Sequence, residues 1–184
     1  IPGVKLDSAI FADTARTLEE LLYDINTKAI DAQFEAFLQT CQPQSGRLQT
    51  GPRPHIQSLF IEINDTFPKL SQMPGHAFES MYKREFNLLV DRMIGLLLTD
   101  RIRYFDLNFV KCLDQDLIYL ENCAKKAPVV VFDDSFAELR QIVNLLMEPD
   151  LKVFFDPAIR STQYNKINNT KKLAAILKKF KEAG

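Results

Sequence analysis

The sequence has 184 residues, enough for one domain with a substantial core, and its apolar and charged fractions (46% and 26%) are those of an ordinary globular protein. With 23 Lys and Arg against 24 Asp and Glu, the net charge is −1, which excludes the strong basic field that nucleic-acid binding needs. No apolar run is long enough to cross a bilayer, nothing reads as a secretory signal, and the cysteines, Cys41, Cys112 and Cys123, form neither a disulfide framework nor a metal-ligand spacing.

The chain opens on Ile1 and reads as a piece of a longer polypeptide, folding as a single domain over residues 1–184. Residues up to Ile10 are predicted to be an irregular lead-in. From Asp13 to Cys41 the apolar residues Leu18, Leu21, Leu22, Ile25, Ala29, Phe34, Phe37 and Leu38 recur at helical spacing with acidic residues between them, predicting a long amphipathic helix with one buried face. Gln42 to Pro54 is rich in proline, glycine and polar residues and is predicted to be a loop. A helix follows from Pro54, with Ile56, Leu59, Phe60 and Ile63 as its stripe and Pro68 as its stop, and a short piece from Lys69 to Met73 leads into Pro74-Gly75.

The stretch His76–Thr99 is predicted to be the centre of the fold. Phe78, Met81, Tyr82, Phe86, Leu89, Met93 and Leu97 lie on one helical face, and Leu88, Val90, Ile94, Leu96 and Leu98 extend the apolar surface almost around the helix. A helix apolar on most sides is packed on most sides. Gly95 in its middle is unfavourable relative to alanine by about 1 kcal/mol, so close approach of a neighbouring helix is expected there.

Tyr104–Ala127 is predicted to be the next helix, with two apolar rows (Val110, Leu113, Leu117, Leu120, Ala124; and Phe105, Phe109, Cys112, Tyr119, Cys123) and Asp106, Asp114, Asp116 and Glu121 making the remainder acidic. Cys112 and Cys123 share a stripe and are expected to be reduced thiols. Val129–Phe132 is the only strand-like run, and it reads as an extended connector. Ser135 and Glu138 have capping-box spacing before a helix through Met147 that Pro149 stops. Leu151–Phe155 is a short apolar segment. The last helix is predicted to start near Asn168 or Asn169, with Leu173, Ile176, Leu177 and Phe180 on one face and Lys171, Lys172, Lys178, Lys179 and Lys181 on another, read as solvated. The fold class predicted is all-α: an elongated bundle of about six or seven helices around the central helix.

Catalytic patterns are absent: no glycine-rich phosphate loop, nucleophile elbow or H-E-x-x-H occurs, and the histidines are only His55 and His76. His76 and Glu79 lie one turn apart, but the carboxylate suits the helix N-terminal dipole better than a metal; Asp133-Asp134 suit helix initiation. No catalytic residue, metal or cofactor is therefore expected.

Several stretches in order, Tyr23–Phe34 (YDINTKAIDAQF), Leu59–Gly75 (LFIEINDTFPKLSQMPG), Phe105–Asp116 (FDLNFVKCLDQD), Phe136–Phe155 (FAELRQIVNLLMEPDLKVFF) and the helix containing LAAILKKF, resemble the C-terminal region of the Sec-fifteen subunit family of the exocyst tethering complex, which acts as a Rab GTPase effector. The resemblance covers most of the chain. It implies a helical rod of tethering-complex type, a cytoplasmic location peripheral to secretory vesicles and sites of exocytosis, and a non-catalytic module binding the GTP form of a secretory Rab. Other exocyst subunits, and polarity scaffold proteins, are the further partners it implies. In the family the start of the helix at Phe105 is implicated in Rab contact, which points to Asp106, Asn108, Phe109 and Val110 as partner-binding residues. Animal members read Phe-Asn-Leu-Asp where this chain reads Phe105-Asp106-Leu107-Asn108, so the polar pair is exchanged. On this reading Phe109 and Val110 are apolar anchors, and Asp106→Ala with Phe109→Ala weakens binding without unfolding. The alternatives are a purely structural spacer, or a GTPase-activating domain donating Arg101 or Arg103.

Overall fold

The computed structural model describes residues 8–40, 51–59, 61, 75–126 and 135–181. The expected stop at Pro68, the segment Lys69–Met73, Cys41, the strand-like Val129–Phe132, Asp133-Asp134 and most of the proline-rich loop lie outside them.

Helix α1 spans Ser8–Thr40. It opens before the predicted Asp13, so residues 8–12 of the expected lead-in are helical instead, and residues 1–7 lie outside the described ones. Nothing between Ser8 and Asp13 breaks a helix, and the hydroxyls of Thr14 and Thr17 donate back to the carbonyls of Ile10 and Asp13, at 2.8 and 2.9 Å. Only part of its predicted stripe is covered. Ile30, Phe34 and Phe37 are buried, whereas Leu18, Leu21 and Ile25 are exposed. Residues 54–59 form α2 directly after Arg53, with Pro54 in the first turn, where its missing N–H costs nothing.

Helix α3, Gly75–Leu98, occupies the centre as expected, with α1 and two later helices, α5 (Ala137–Met147) and α7 (Thr170–Lys179), packed around it. Phe78, Met81, Tyr82, Phe86, Leu89, Met93 and Leu97 are all buried, as are Val90, Ile94 and Leu96. Tyr82 and Phe86 stack at 5.2 Å, and Phe136 meets Phe86 edge-on at 5.7 Å.

Gly95 does not mark a close helix approach. A Cβ built there meets nothing within 4 Å. It opens instead onto a groove of about 470 Å³ between α1 and α3, lined by Phe34, Leu38 and Leu96 and rimmed by Asp31, Glu35 and Arg92. The helical backbone at Gly95 therefore carries its entropic penalty without a packing return. Gly95→Ala is expected to raise the unfolding free energy by up to about 1 kcal/mol, read as a higher denaturation midpoint.

Strand β1, Phe105–Asp106, displaces the predicted start of the next helix; α4 runs over Leu107–Lys125. Helix α5 is Ala137–Met147 and ends before Pro149 as predicted, but it has no capping box. Its N-cap is Phe136, which makes no side-chain cap hydrogen bond. Burial of the Phe136 ring against α3 sets the helix start, and Glu138 is taken by Lys172 at 2.7 Å.

The apolar segment Leu151–Phe155 is a 3₁₀ helix, and the short α6, Pro157–Gln163, follows. Apolar periodicity does not reveal α6, although Asp156-Pro157 is a helix-start pair: the Asp156 carboxylate accepts from the N–H groups of Ala158 and Ile159. Helix α7 is Thr170–Lys179, capped by Asn169 as predicted. Strand β2, Phe180–Lys181, pairs parallel with β1, setting Phe105 beside Phe180 and Asp106 beside Lys181. This two-residue ladder is not among the predicted elements, but it leaves the class all-α.

The lysine face of α7 is only partly solvated. Lys179 Nζ donates to the carbonyls of Leu98 and Thr99, at 2.7 Å each, so a cation closes the C-terminal end of α3. Lys172 pairs with Glu138, and Lys181 lies over the Tyr104 ring at 3.7 Å. Lys171 and Lys178 remain exposed.

Candidate partner-binding surface

The surface around the start of α4 is built on a rigid base. Phe105 is fully buried, and its ring contacts Phe109 at 5.7 Å and Phe180 at 5.8 Å. That buried strand residue leaves Asp106 at the N-cap with extended backbone, and its carboxylate accepts from the Phe109 N–H at 2.9 Å. Asn and Asp are nearly equal N-caps, so either residue at position 106 would hold this start of the helix.

The four residues named from the sequence separate into two pairs. Asp106 and Asn108 are half-buried at the surface. Phe109 and Val110 are core residues, with Val110 fully enclosed. The expectation that Phe109→Ala would leave the fold intact does not survive this placement, because truncating a buried phenylalanine opens a core cavity. The outward face of α4 belongs to other residues. Lys111 and Ile118, two turns apart on one stripe, are exposed, and so are Arg103 and Tyr104 just before the helix. The helix has two apolar rows, and periodicity alone could not decide which of them the neighbours cover.

The acidic side expected on α4 is absorbed into ion pairs. Arg140 of α5 forks between Asp114 and Glu121, donating from Nη2 to Glu121 Oε2 at 2.7 Å and from Nη1 to Asp114 Oδ1. Asp116 is fully buried. It accepts from the Arg53 backbone N–H at 2.7 Å and from Arg53 Nε, while Nη2 lies against the same carboxylate off the line of a hydrogen bond. The Arg53 guanidinium is stacked over Phe37 at 4.4 Å and over Phe109 at 5.2 Å. One arginine thus ties the segment before α2 to both α1 and α4. Burial pushes the Asp116 carboxyl upward, and the guanidinium and N–H of Arg53 work against that push.

A second buried carboxylate lies between α1 and α3. Glu85 is fully enclosed; Asn26 donates to its Oε1, while Oε2 has no hydrogen-bond partner among the described residues. Burial pushes its carboxyl up to about 7, and the Asn26 bond opposes this only in part. The exposed face of α1 and α3 carries ordinary pairs, Arg92 with Asp31 at 2.5 Å and Arg101 with Glu35 at 2.6 Å. Arg101 is therefore engaged within the domain, while Arg103 is exposed.

Among the described residues, no group of His, Cys, Asp and Glu could hold a metal ion. Glu79 is exposed. Cys112 and Cys123 are free thiols, and burial pushes Cys123 up. No described helix is long and apolar enough to cross a membrane. What the site presents is a capped, firmly seated helix start with mixed apolar and polar side chains facing out.

The family model described as "Exocyst complex subunit Sec15 C-terminal" matches residues 8–179. Exocyst complex component 6 of Dictyostelium discoideum is 29% identical over 140 residues, covering 71% of this chain and 14% of that protein. SEC15A of Arabidopsis thaliana is 26% identical over 195 residues, covering 99% of this chain and 24% of that protein. The component sec15 of Schizosaccharomyces pombe is 27% identical over 157 residues, covering 82% and 20%. The chain thus spans less than a quarter of the length of each of these relatives. No solved structure matches. With a model match that runs from the first turn of α1 to the last of α7, this chain belongs to the Sec15 C-terminal family of exocyst complex subunits.

Proposed function

We propose that this domain is a non-catalytic interaction module of the exocyst, a vesicle-tethering complex, and that it binds a secretory Rab GTPase in its GTP form. On this proposal it acts peripherally at secretory vesicles and sites of exocytosis, beside other exocyst subunits. Family membership supports the tethering part of the reading. The observation that carries the Rab part is the seating of the α4 start: Asp106 and Asn108 at the rim, exposed Tyr104, Lys111 and Ile118 facing outward, and Phe109 and Val110 fixed beneath.

The chemistry suits such a partner. Rab switch segments are ordered by the γ-phosphate and magnesium and released on hydrolysis. A rigid helical face distinguishes the two forms through differential affinity alone. Phe109 and Val110 act in this reading by holding the helix in place, and the contact falls to Asn108, Lys111 and Ile118.

The test is titration with GTP- and GDP-loaded secretory Rabs. Lys111→Glu combined with Ile118→Asp changes only exposed positions, and it is expected to weaken binding of the GTP form tenfold or more with an unchanged melting temperature. Equal affinity for the two nucleotide states would remove the effector reading. An increase in GTP hydrolysis on adding the domain would favour a GTPase-activating role for Arg103 instead.

A further inference from the structure

The buried carboxylate of Glu85 lies at one end of the seam between α1 and α3. Asn26, which donates to its Oε1, is the first buried position of α1 among the described side chains, and Ile30, Phe34 and Phe37 carry the seam on from there. On the other side of Asn26 the described contacts of α1 are few. Leu22 is half-buried against the core, and Arg84 of α3 lies over the Tyr23 ring at 3.9 Å. Glu85 is therefore buried where α1 has little else to hold it down.

None of the described groups around this carboxylate neutralises it. From α1 comes the neutral amide of Asn26, while Asp24 and Lys28 are exposed. On α3, Tyr82 is a phenol that burial and the carboxylate itself keep protonated, Lys83 and Arg84 are exposed, and Arg92 is committed to Asp31 at 2.5 Å. On α4, Cys123 is a thiol that burial keeps protonated, and α5 meets this part of α3 through the neutral ring of Phe136. An ionised Glu85 has one oxygen bonded to Asn26 and one with no partner among the described residues. Such a charge is stabilised only by water. Parting α1 from α3 at Asn26 lets water in at the loss of one hydrogen bond and the Leu22 and Tyr23 contacts. It leaves the packing of Phe34 and Phe37 and the Arg92–Asp31 and Arg101–Glu35 pairs in place.

We propose that the Asn26 end of this seam is a proton-controlled hinge: loss of the Glu85 proton parts the N-terminal portion of α1 from α3, and its return closes the helix down again. The hinge concerns α1 and does not rest on the α4 reading. Burial holds the carboxyl at about 7 in the closed seam, against an ordinary 4.5 once water reaches it. Below pH 4.5 both forms carry the proton and closure is at its strongest. Closure weakens as pH rises through the window between the two values and levels off above 7. Linkage between those values lowers the ratio of closed to open seam about tenfold from pH 6 to pH 8.

Amide hydrogen exchange on the whole chain, corrected for the intrinsic rate at each pH, tests this. An unpacked stretch of helix frays in water, so exchange reports the opening. Amides from Leu22 to Ile30 are expected to lose about tenfold in protection between pH 6 and pH 8, while those from Leu89 to Leu97 in α3 keep theirs. Glu85→Gln should hold the Leu22–Ile30 amides equally protected at both values. In the parent chain the Glu85 carboxyl carbon, followed by NMR, should titrate near pH 7 in step with the loss of protection, a readout that needs no variant. Protection that stays flat with pH would overturn the proposal, as would a fall that the glutamine variant shares. A fall shared by the α3 amides would also overturn it, because the whole domain would then be opening and not one seam. So would a carboxyl that titrates near 4.5, since the charge would then be hydrated with the seam closed.

Discussion

Asp116→Ala lowers the unfolding free energy by roughly 3–5 kcal/mol, the cost of leaving a buried guanidinium without its counter-charge. Arg53 is enclosed by Phe37, Phe109 and α4, so it cannot swing into water without dismantling the cation–π stack. Its backbone N–H loses its acceptor at the same time, leaving the segment before α2 with a buried donor unpaired. A urea titration should show the midpoint falling while the slope stays constant, unless the variant is already unfolded in buffer. The companion Arg53→Met, Asp116→Leu removes both charges and restores apolar volume. It is expected to recover much of the loss, because the penalty lies in an unpaired charge and not in the absence of the pair. If the single and double variants are equally destabilised, the attraction within the ion pair outweighs the desolvation of its two charges.

Glu85→Gln has the opposite sign and a pH dependence. Among the described residues no cation offsets the burial of Glu85: Asn26 of α1 donates to one oxygen, and Tyr82, one turn back on α3, is itself pushed up to about 12 by burial and by the nearby carboxylate. The carboxyl has an ordinary value of 4.5 and is raised to about 7 in the fold. Below pH 4.5 it is protonated in both the folded and unfolded chains, and its contribution to stability is complete. Between pH 4.5 and 7 the unfolded chain gives up the proton while the folded chain keeps it, so stability falls as pH rises; above 7 the loss is complete and constant. At about 1.4 kcal/mol per pKa unit the loss is roughly 3.5 kcal/mol. Glutamine mimics the protonated form and keeps the Asn26 contact. The variant should match the parent chain near pH 4 and exceed it by roughly that amount near pH 8, read from urea midpoints across the range. A parent-minus-variant difference that stays flat with pH would mean that Glu85 is ionised in both states.

How far the sequence predicts these features depends on the range of the interactions. The central α3 is visible because Phe78, Met81, Tyr82, Phe86, Leu89, Met93 and Leu97 share one face and their neighbours fill the rest, a pattern contained within one helix. Asn169 and Pro149 likewise act within a turn of themselves. Arg53 and Asp116 meet across 63 positions, and nothing local marks either residue as buried; a carboxylate on an amphipathic helix is ordinarily on its wet side. Phe109 fails as an exposed anchor for a related reason. Both apolar rows of α4 have helical spacing, and only the arrival of β2, α5 and Arg53 decides which of them is covered. The N-terminal half of α1 shows the reverse limit: apolar spacing at Leu18, Leu21 and Ile25 predicts burial, and among the described residues nothing covers that face.

The latch between Lys179 and the carbonyls of Leu98 and Thr99 joins positions up to 81 residues apart, and the β1–β2 ladder beside it seats the residue that caps α4. Closing so wide a circuit carries a loop-closure cost and places these bonds among the non-local contacts of the fold. During synthesis the ribosome releases α4 long before Lys179, so the helix emerges without its clasp. The start of α4 is thus seated only when β2 returns to β1 behind α7, so a surface that reads as local to one helix is held by a contact from the far side of the fold.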